Sequence, residues 1–480
     1  MALTFRTDAF INGEWRSGPR RFPVYNPANQ QVLAEAPDFG AAETEDAIAA
    51  AHAAFPAWAA KTAKERAAVM RRWFDLMMGD LDRLAKAITA EGGKPLSEAK
   101  GEAIYAASFV EWFGEEIKRA YGRTIPTTTP TRRYVTIRQP LGVCAAITPW
   151  NFPMAMITRK AAPAIAAGNT IVLKPPQQTP LTALLLAELA AEAGLPKGVF
   201  NVVTTTRAKE VGQVFCDSPL VRKFSFTGST AVGKQLGAQC VGSTVKKISL
   251  ELGGNAPLLV FADADIDMAV KGAIASKFRN AGQTCVCANR ILVEDAVYDV
   301  FSKKLTEAVA ALKVGPGDQE GVEIGPLIDA KAIEKVEAMV GEAIARGAQA
   351  STGGARHKAG PQFFTPTVLT NVTSDMRVNR EEIFGPVAPL IRFASDEEAV
   401  RIANDTEFGL AAYFFTKDVH RAWTVAERLD YGMVSINDGI LSTEVVPFGG
   451  VKESGIGREG GVEGLEEYLE VKYVNFGGFA

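Results

Sequence analysis

Apolar residues recur at helical spacing early in the chain: Val69, Trp73, Leu76 and Met77 follow a Thr62/Glu65 capping box, which predicts a helix starting there. Gly92-Gly93 stops that run. Ile104, Phe109, Trp112 and Phe113 then mark a further helix over about 97–119, ending before Gly122. Apart from a short opening, the first 120 residues read as helical. From Val143 the pattern changes. Short apolar runs at 143–147, 170–173, 199–203, 223–226 and 246–250 alternate with helical stretches such as 182–193. Strands apolar on both sides and separated by helices predict a parallel sheet covered on both faces, a doubly wound α/β unit. Gly253-Gly254 breaks the rhythm, and the run 257–261 opens a second α/β region with helices near 265–280 and 329–346. In the latter, Ile333, Val336, Val340 and Ile344 step by three and four, so one face is expected in a core. Segments 132–138 and 468–476 fall outside both series. They read as orphan strands of the kind whose exposed edges add to a partner.

At 480 residues the chain has room for roughly three domains. Hydrophobic residues at 47% and charged residues at 22% exclude a disordered or fibrous protein. With 52 Lys and Arg against 55 Asp and Glu, the net charge of -3 gives no general attraction to nucleic acid or an anionic membrane. The longest apolar stretches fall short of the ~20 residues of a membrane span. Arg6 and Asp8 stand where a signal peptide needs its apolar core. Cys144, Cys216, Cys240, Cys285 and Cys287 are odd in number and sparse, unlike a disulfide framework, so a reducing, cytoplasmic compartment is expected. His52, His357 and His420 lie in segments of surface character, which leaves a Ser-His-Asp site little support. Cys285-Val286-Cys287 has neither a second cysteine pair nor a nearby histidine, and no metal site is expected.

Four segments carry candidate chemistry. Cys285 closes the turn Phe278-Arg279-Asn280-Ala281-Gly282-Gln283-Thr284, where a thiol can face a pocket as a nucleophile. Glu251 ends an apolar strand, a place where a carboxylate is partly desolvated and can act as a base near neutral pH. Asn151, in Thr148-Pro149-Trp150-Asn151-Phe152-Pro153, follows the first sheet strand and offers an amide donor for an oxyanion. Phe226-Thr227-Gly228-Ser229-Thr230-Ala231-Val232-Gly233 lies between a strand and a helix, so its backbone N–H groups can meet a pyrophosphate. Taken singly, each has a blander alternative: a small buried thiol, an exposed strand-end acid, a turn residue held between prolines, an ordinary loop.

In this order and over nearly the whole chain, these motifs resemble the NAD(P)-dependent aldehyde dehydrogenase superfamily. The resemblance implies a Rossmann-type cofactor domain (1–122 and 141–252), a second α/β catalytic domain (253–452), and a small β oligomerisation arm with a C-terminal tail (123–140 and 453–480). It places the nucleophile on Cys285, the base on Glu251 and the oxyanion amide on Asn151. Cofactor contacts fall on Trp150, Lys174, Gln177, Gly228, Ser229, Gly233, Glu382 and Phe384. The stretches 276–280, 285–287 and 251–257 look most like the succinate-semialdehyde dehydrogenase group, which maps substrate-carboxylate contacts onto Arg159, Arg279 and Ser442. By sequence alone either arginine is as well explained as solvated helix charge. Glutarate semialdehyde differs by one methylene, which a pocket resolves by only ~1–3 kcal/mol. A broad-specificity aldehyde dehydrogenase and a non-catalytic relative of the fold are the competing expectations. Many NAD-preferring relatives carry Glu where this chain has Gln177, so NADP is expected as well as NAD. A homodimer or homotetramer is implied. Cys287 is expected to be a packing residue, since a disulfide to Cys285 would close a very tight loop, with a regulatory disulfide that captures Cys285 under oxidation as the alternative.

Overall fold

The five apolar runs between 143 and 251 become adjacent strands of one sheet in the computed structural model, which describes residues 5–479. Their order is Phe200–Val202, Thr170–Lys174, Val143–Ile147, Val221–Thr227 and Lys247–Glu251, all parallel. Val143–Ile147 and Thr170–Lys174 are buried at every position, which is why no polar alternation shows in their sequence. Cys144, Ala146, Ile171 and Leu173 pack on one side against the helices Ala155–Ala167 and Leu181–Glu192 and the N-terminal helical block. Val143, Ala145, Ile147 and Val172 face the helices Ala41–Ala59, Ala208–Asp217 and Thr230–Ser243 through Ile48, Phe215 and Leu236.

The capping box forms as expected: Glu65 N donates to Thr62 Oγ1 at 3.3 Å and Thr62 N donates to the Glu65 carboxylate at 2.8 Å, opening the helix Ala63–Gly79. The helix expected over 97–119 runs Leu96–Glu116 and closes with a 3-10 turn Ile117–Arg119. The opening holds more strand than the sequence pattern suggests. Ala9–Ile11 and Glu14–Arg16 extend the first sheet antiparallel, and Arg21–Tyr25 pairs with Val32–Pro37. Three-residue strands are too short to show a period.

A second sheet runs Gln349–Thr352, Thr367–Thr370, Val387–Phe393, Ala288–Glu294, Ala256–Val260, Ala411–Phe415 and Met433–Ile436, parallel except for its first pair. The two segments expected to be orphan strands pair with each other: Arg133–Pro140 lies antiparallel to Leu469–Phe476, from Pro140 opposite Leu469 to Arg133 opposite Phe476, and Arg123–Ile125 adds a third strand. Shortly before Leu469–Phe476 in sequence, Gly455–Ile456 joins the first sheet beside Lys247–Glu251. No described helix is long and apolar enough to cross a membrane.

From Val143–Ile147 the chain winds outward to one side, then crosses over to Val221–Thr227 on the other. This reversal leaves a crevice at the carboxyl ends of those two strands, the place where open α/β sheets bind ligands. The loops from Thr148 and Gly228 leave the sheet there.

Candidate active site

Cys285 reaches that crevice from a turn with unusual backbone. Asn280 (φ 52°) and Ala281 (φ 53°) are left-handed, and so is Gly282 (φ 74°), where a Cβ would run into the Gly385 carbonyl. A left-handed alanine is strained, and such strain persists where the surroundings over-determine it. Here they do. Asn280 N donates to Glu98 Oε2 at 2.8 Å, Asn280 Nδ2 donates to Asn151 O at 3.0 Å, and Asn151 Nδ2 donates to Gln283 O at 3.1 Å. Lys94 Nζ also donates to Asn151 O at 3.1 Å and pairs with Glu102, whose other oxygen accepts from Met154 N at 2.9 Å, at the start of the helix Ala155–Ala167. The Cys285 turn and the Asn151 loop are therefore bolted together. One N–H of the Asn151 amide remains for a ligand, and Asn151 Oδ1 is buried without a partner. On the other side, Gly254 lies so close that a Cβ there would meet the Cys285 carbonyl. Burial pushes the Cys285 thiol up to about 12, with the nearby Arg159 guanidinium acting against it.

Glu251 ends its strand buried, with both carboxylate oxygens unpartnered. Burial first, and then the neighbouring Glu459 carboxylate, hold it well above the usual carboxylate range; Arg159, Lys160 and Arg458 pull it down without winning. Glu459 shows the opposite balance. Burial raises it, but Lys160 and Arg159 outweigh that and keep it ionised. Arg159 is 2% exposed, so it is no solvated helix charge: Nη2 touches Glu459 Oε2 at 2.6 Å, off the hydrogen-bond line, and the guanidinium lies 3.9 Å from the Phe448 ring centre. Sequence reasoning missed Glu459, Lys94, Glu98 and Glu102. Glu98 and Glu102 carried a signal: they sit one turn apart on the helix face that also presents Ala99, Ala103 and Ala106 to the core.

A cavity of about 280 Å³ adjoins Cys285, lined among others by Trp150, Asn151, Gly228, Ser229, Glu382 and Phe384. Gly228 N donates to Glu251 O at 3.0 Å, which ties the turn after Val221–Thr227 to the strand bearing the base. Ser229 caps the helix Thr230–Ser243 without a side-chain bond to its first turn, and Thr227 Oγ1 is a buried orphan. Glu382 accepts from Gly254 N at 3.1 Å, and burial raises it to about 7. Phe384 is left-handed (φ 58°), a rare state for an aromatic residue, with its ring 5.6 Å from Trp150, edge to face. Free backbone N–H groups at a helix start, an orphaned hydroxyl and a half-buried carboxylate are the donor and acceptor set that phosphates and a ribose require, so a nicotinamide dinucleotide fits these residues.

The remaining expected positions lie outside that cavity. Gly233 is buried in the first turn of Thr230–Ser243. Lys174 is buried, its ammonium donates to Pro175 O at 2.9 Å, and burial lowers it to about 8. Gln177 is exposed and borders a separate cavity of about 310 Å³ with Gln178, Glu91 and Asp329. Arg279 lies 5.4 Å from the Phe152 ring centre with Nε buried and unpartnered. Ser442 is half-buried in the irregular stretch after Met433–Ile436. Cys287 faces away from the crevice: its thiol donates to Gly282 O at 3.4 Å and accepts from Lys277 Nζ at 3.6 Å.

Known proteins resemble this chain over nearly its whole length. The glutarate-semialdehyde dehydrogenase of Pseudomonas aeruginosa is 57% identical over 99% of each chain, and the NADP(+) succinate-semialdehyde dehydrogenase of Escherichia coli K12 is 58% identical over 98% of each. The crystal structure of succinate-semialdehyde dehydrogenase from Burkholderia pseudomallei superposes with a TM-score of 0.97 at 57% identity, covering 98% of both chains. The aldehyde dehydrogenase family as a whole matches residues 15–474, from the first sheet's edge to the last strand of the arm. By fold, by its half-buried thiol and buried amide and carboxylate, and by this near-complete likeness, the chain belongs to the aldehyde dehydrogenase family.

Proposed function

We propose that the protein oxidises an aldehyde carrying a distal carboxylate, succinate semialdehyde before others, to the dicarboxylate, with NADP or NAD as the acceptor. The observation that carries this is the buried Arg159 guanidinium beside the Cys285 thiol, with Arg279 as a second partly unsatisfied cation. A buried arginine whose Nε–H has no acceptor suits a carboxylate, not an alkyl chain. The named relatives support both the four-carbon and five-carbon semialdehydes. NAD(P)H production with succinate semialdehyde, glutarate semialdehyde and an uncharged aldehyde of equal length tests it. Equal kcat/KM on all three would overturn the substrate assignment.

In the proposed mechanism Cys285 gives up its proton to solvent water, the thiolate adds to the aldehyde carbon, and the oxyanion so formed accepts hydrogen bonds from the free Asn151 N–H and the Cys285 backbone N–H. A nicotinamide held in the adjoining cavity would supply the hydride acceptor needed to oxidise the Cys285 adduct to the thioester. Glu251 then takes a proton from water, which attacks the thioester carbonyl and frees the acid and the thiol. Trp150, Gly228, Ser229, Glu382 and Phe384 hold the dinucleotide in the adjoining cavity, Gly233 allows the first helix turn to pack closely, and Lys174 and Gln177 meet its adenosine end.

The two arginines differ as probes. Removing Arg159 also takes away one of the two cations that hold buried Glu459, so Arg279→Ala is the cleaner variant. A lost charge-assisted bond is worth about 1.5–3 kcal/mol, so kcat/KM on succinate semialdehyde is expected to fall at least ~10-fold, and far less on the uncharged aldehyde. Equal losses would assign Arg279 to packing. Ser442 is proposed as a further polar contact.

For the cofactor, Gln177 lacks the negative charge that would repel a 2′-phosphate, so both dinucleotides are used with NADP preferred. Gln177→Glu is expected to shift the ratio of kcat/KM toward NAD, and an unchanged ratio would clear Gln177 of control. The proposed assembly is a homodimer or homotetramer built on the strands Arg133–Pro140 and Leu469–Phe476, whose exposed Ile137, Tyr473 and Phe476 await cover. All five thiols are free, which favours the cytoplasm.

A further inference from the structure

Tyr105 projects from the helix Leu96–Glu116, and its phenol oxygen is buried with no hydrogen-bond partner. Buried hydroxyls nearly always have one, so this orphan requires an explanation. The ring stands edge-on to Phe109, one turn on, with centroids 4.9 Å apart, and the same Phe109 ring lies 6.0 Å from the Arg159 guanidinium. Arg159 and Arg279 are the two cations that act on the phenol. Each also keeps a buried Nε–H without an acceptor.

The carboxylates facing this hydroxyl are engaged elsewhere. Glu459 is held by Arg159 and Lys160, and Glu444 accepts from Ser108 Oγ at 3.2 Å and Thr443 Oγ1 at 3.1 Å. Three buried donors thus lack acceptors, the phenol O–H and the Nε–H of Arg159 and of Arg279, with Tyr105 and Arg159 flanking the same Phe109 ring and Arg279 close enough to act on the phenol. What they lack in common is an acceptor, and an anionic one satisfies all three.

We propose that Tyr105 is a substrate-binding residue whose hydroxyl donates to the distal carboxylate of the aldehyde, making it a third recognition group beside Arg159 and Arg279. This rests on the carboxylated-aldehyde function proposed above. The phenol contributes what the arginines do not: a neutral donor on a short, ring-packed side chain that fixes where the carboxylate oxygen sits without adding charge. Burial raises the phenol above its ordinary value, so it stays protonated and able to donate across the working pH range.

Tyr105→Phe removes only the hydroxyl and keeps the ring against Phe109. In the full-length enzyme we expect kcat/KM on succinate semialdehyde to fall by ~10-fold or more, mainly through KM. Turnover of an uncharged aldehyde of equal length should stay within about twofold. Equal losses on both substrates, or no loss on the semialdehyde, overturn the role of Tyr105. Arg279→Ala, assayed in parallel, separates the two levels of the argument. If Arg279→Ala discriminates between the substrates and Tyr105→Phe does not, the Tyr105 proposal alone fails. If neither discriminates and the natural enzyme turns over the semialdehyde and the uncharged aldehyde with equal kcat/KM, the carboxylated-aldehyde function fails with it.

Discussion

Replacing Cys285 with alanine is expected to abolish aldehyde oxidation, by at least ~10⁴-fold, while dinucleotide binding persists. Among the described residues lining the cavity the thiol is the strongest nucleophile toward a carbonyl carbon, whereas much of the remaining wall comes from Trp150, Gly228, Ser229, Glu382 and Phe384. The backbone contact between the Cys285 carbonyl and Gly254 survives truncation at Cβ, so the turn should keep its shape. Cys285→Ser supplies a second variant of nearly the same volume. Its hydroxyl is a far weaker nucleophile, and an ester would hydrolyse less readily than a thioester. The check is NAD(P)H formation measured beside calorimetric binding of NADP. Substantial oxidation by either variant would sink the nucleophile assignment. Since burial holds the thiol at about 12, it rests protonated, and addition to the aldehyde must be coupled to loss of that proton.

How much of this was legible in the sequence depended on whether the partner of each residue was local. Strand Val143–Ile147 was predicted to the residue, because a run buried on both faces between helices has few other solutions. Ala9–Ile11 was not, because three residues carry no period, and its place in the sheet is set by Phe200–Val202 nearly two hundred residues later. The strands Arg133–Pro140 and Leu469–Phe476 were each visible singly, but nothing in either stretch says that the other is its mate. The same rule governs the site. Cys285, Glu251 and Asn151 stood out through their motifs. Arg159 looked like solvated charge because it adjoins Lys160, and only Glu459, three hundred residues on, makes two adjacent buried cations tolerable. Lys94 and Glu102 escaped notice for the same reason: their role is to hold Asn151 and the start of the helix Ala155–Ala167, and that is a property of the folded chain.

Glu251→Gln is expected to separate the two halves of the reaction. Glutamine keeps the shape and can neither accept nor hold a proton from water, so the thioester should form and then stall. Rapid mixing should show a burst of NAD(P)H approaching one per site, followed by a steady rate ~10²–10⁴-fold below that of the natural chain. The pH dependence gives a second signature. Glu251 works as a base only when ionised, and burial with the Glu459 carboxylate beside it holds its pKa well above the ordinary carboxylate value. Lowering the pH through that elevated pKa protonates it, so hydrolysis in the natural enzyme should decline while exposed carboxylates are still ionised. The acidic limb should be missing from the residual turnover of Glu251→Gln. Steady turnover equal to that of the natural chain would remove Glu251 from the mechanism. Loss of both burst and turnover would place its action earlier, at deprotonation of Cys285, because a base needed only for water cannot prevent the first NAD(P)H from forming.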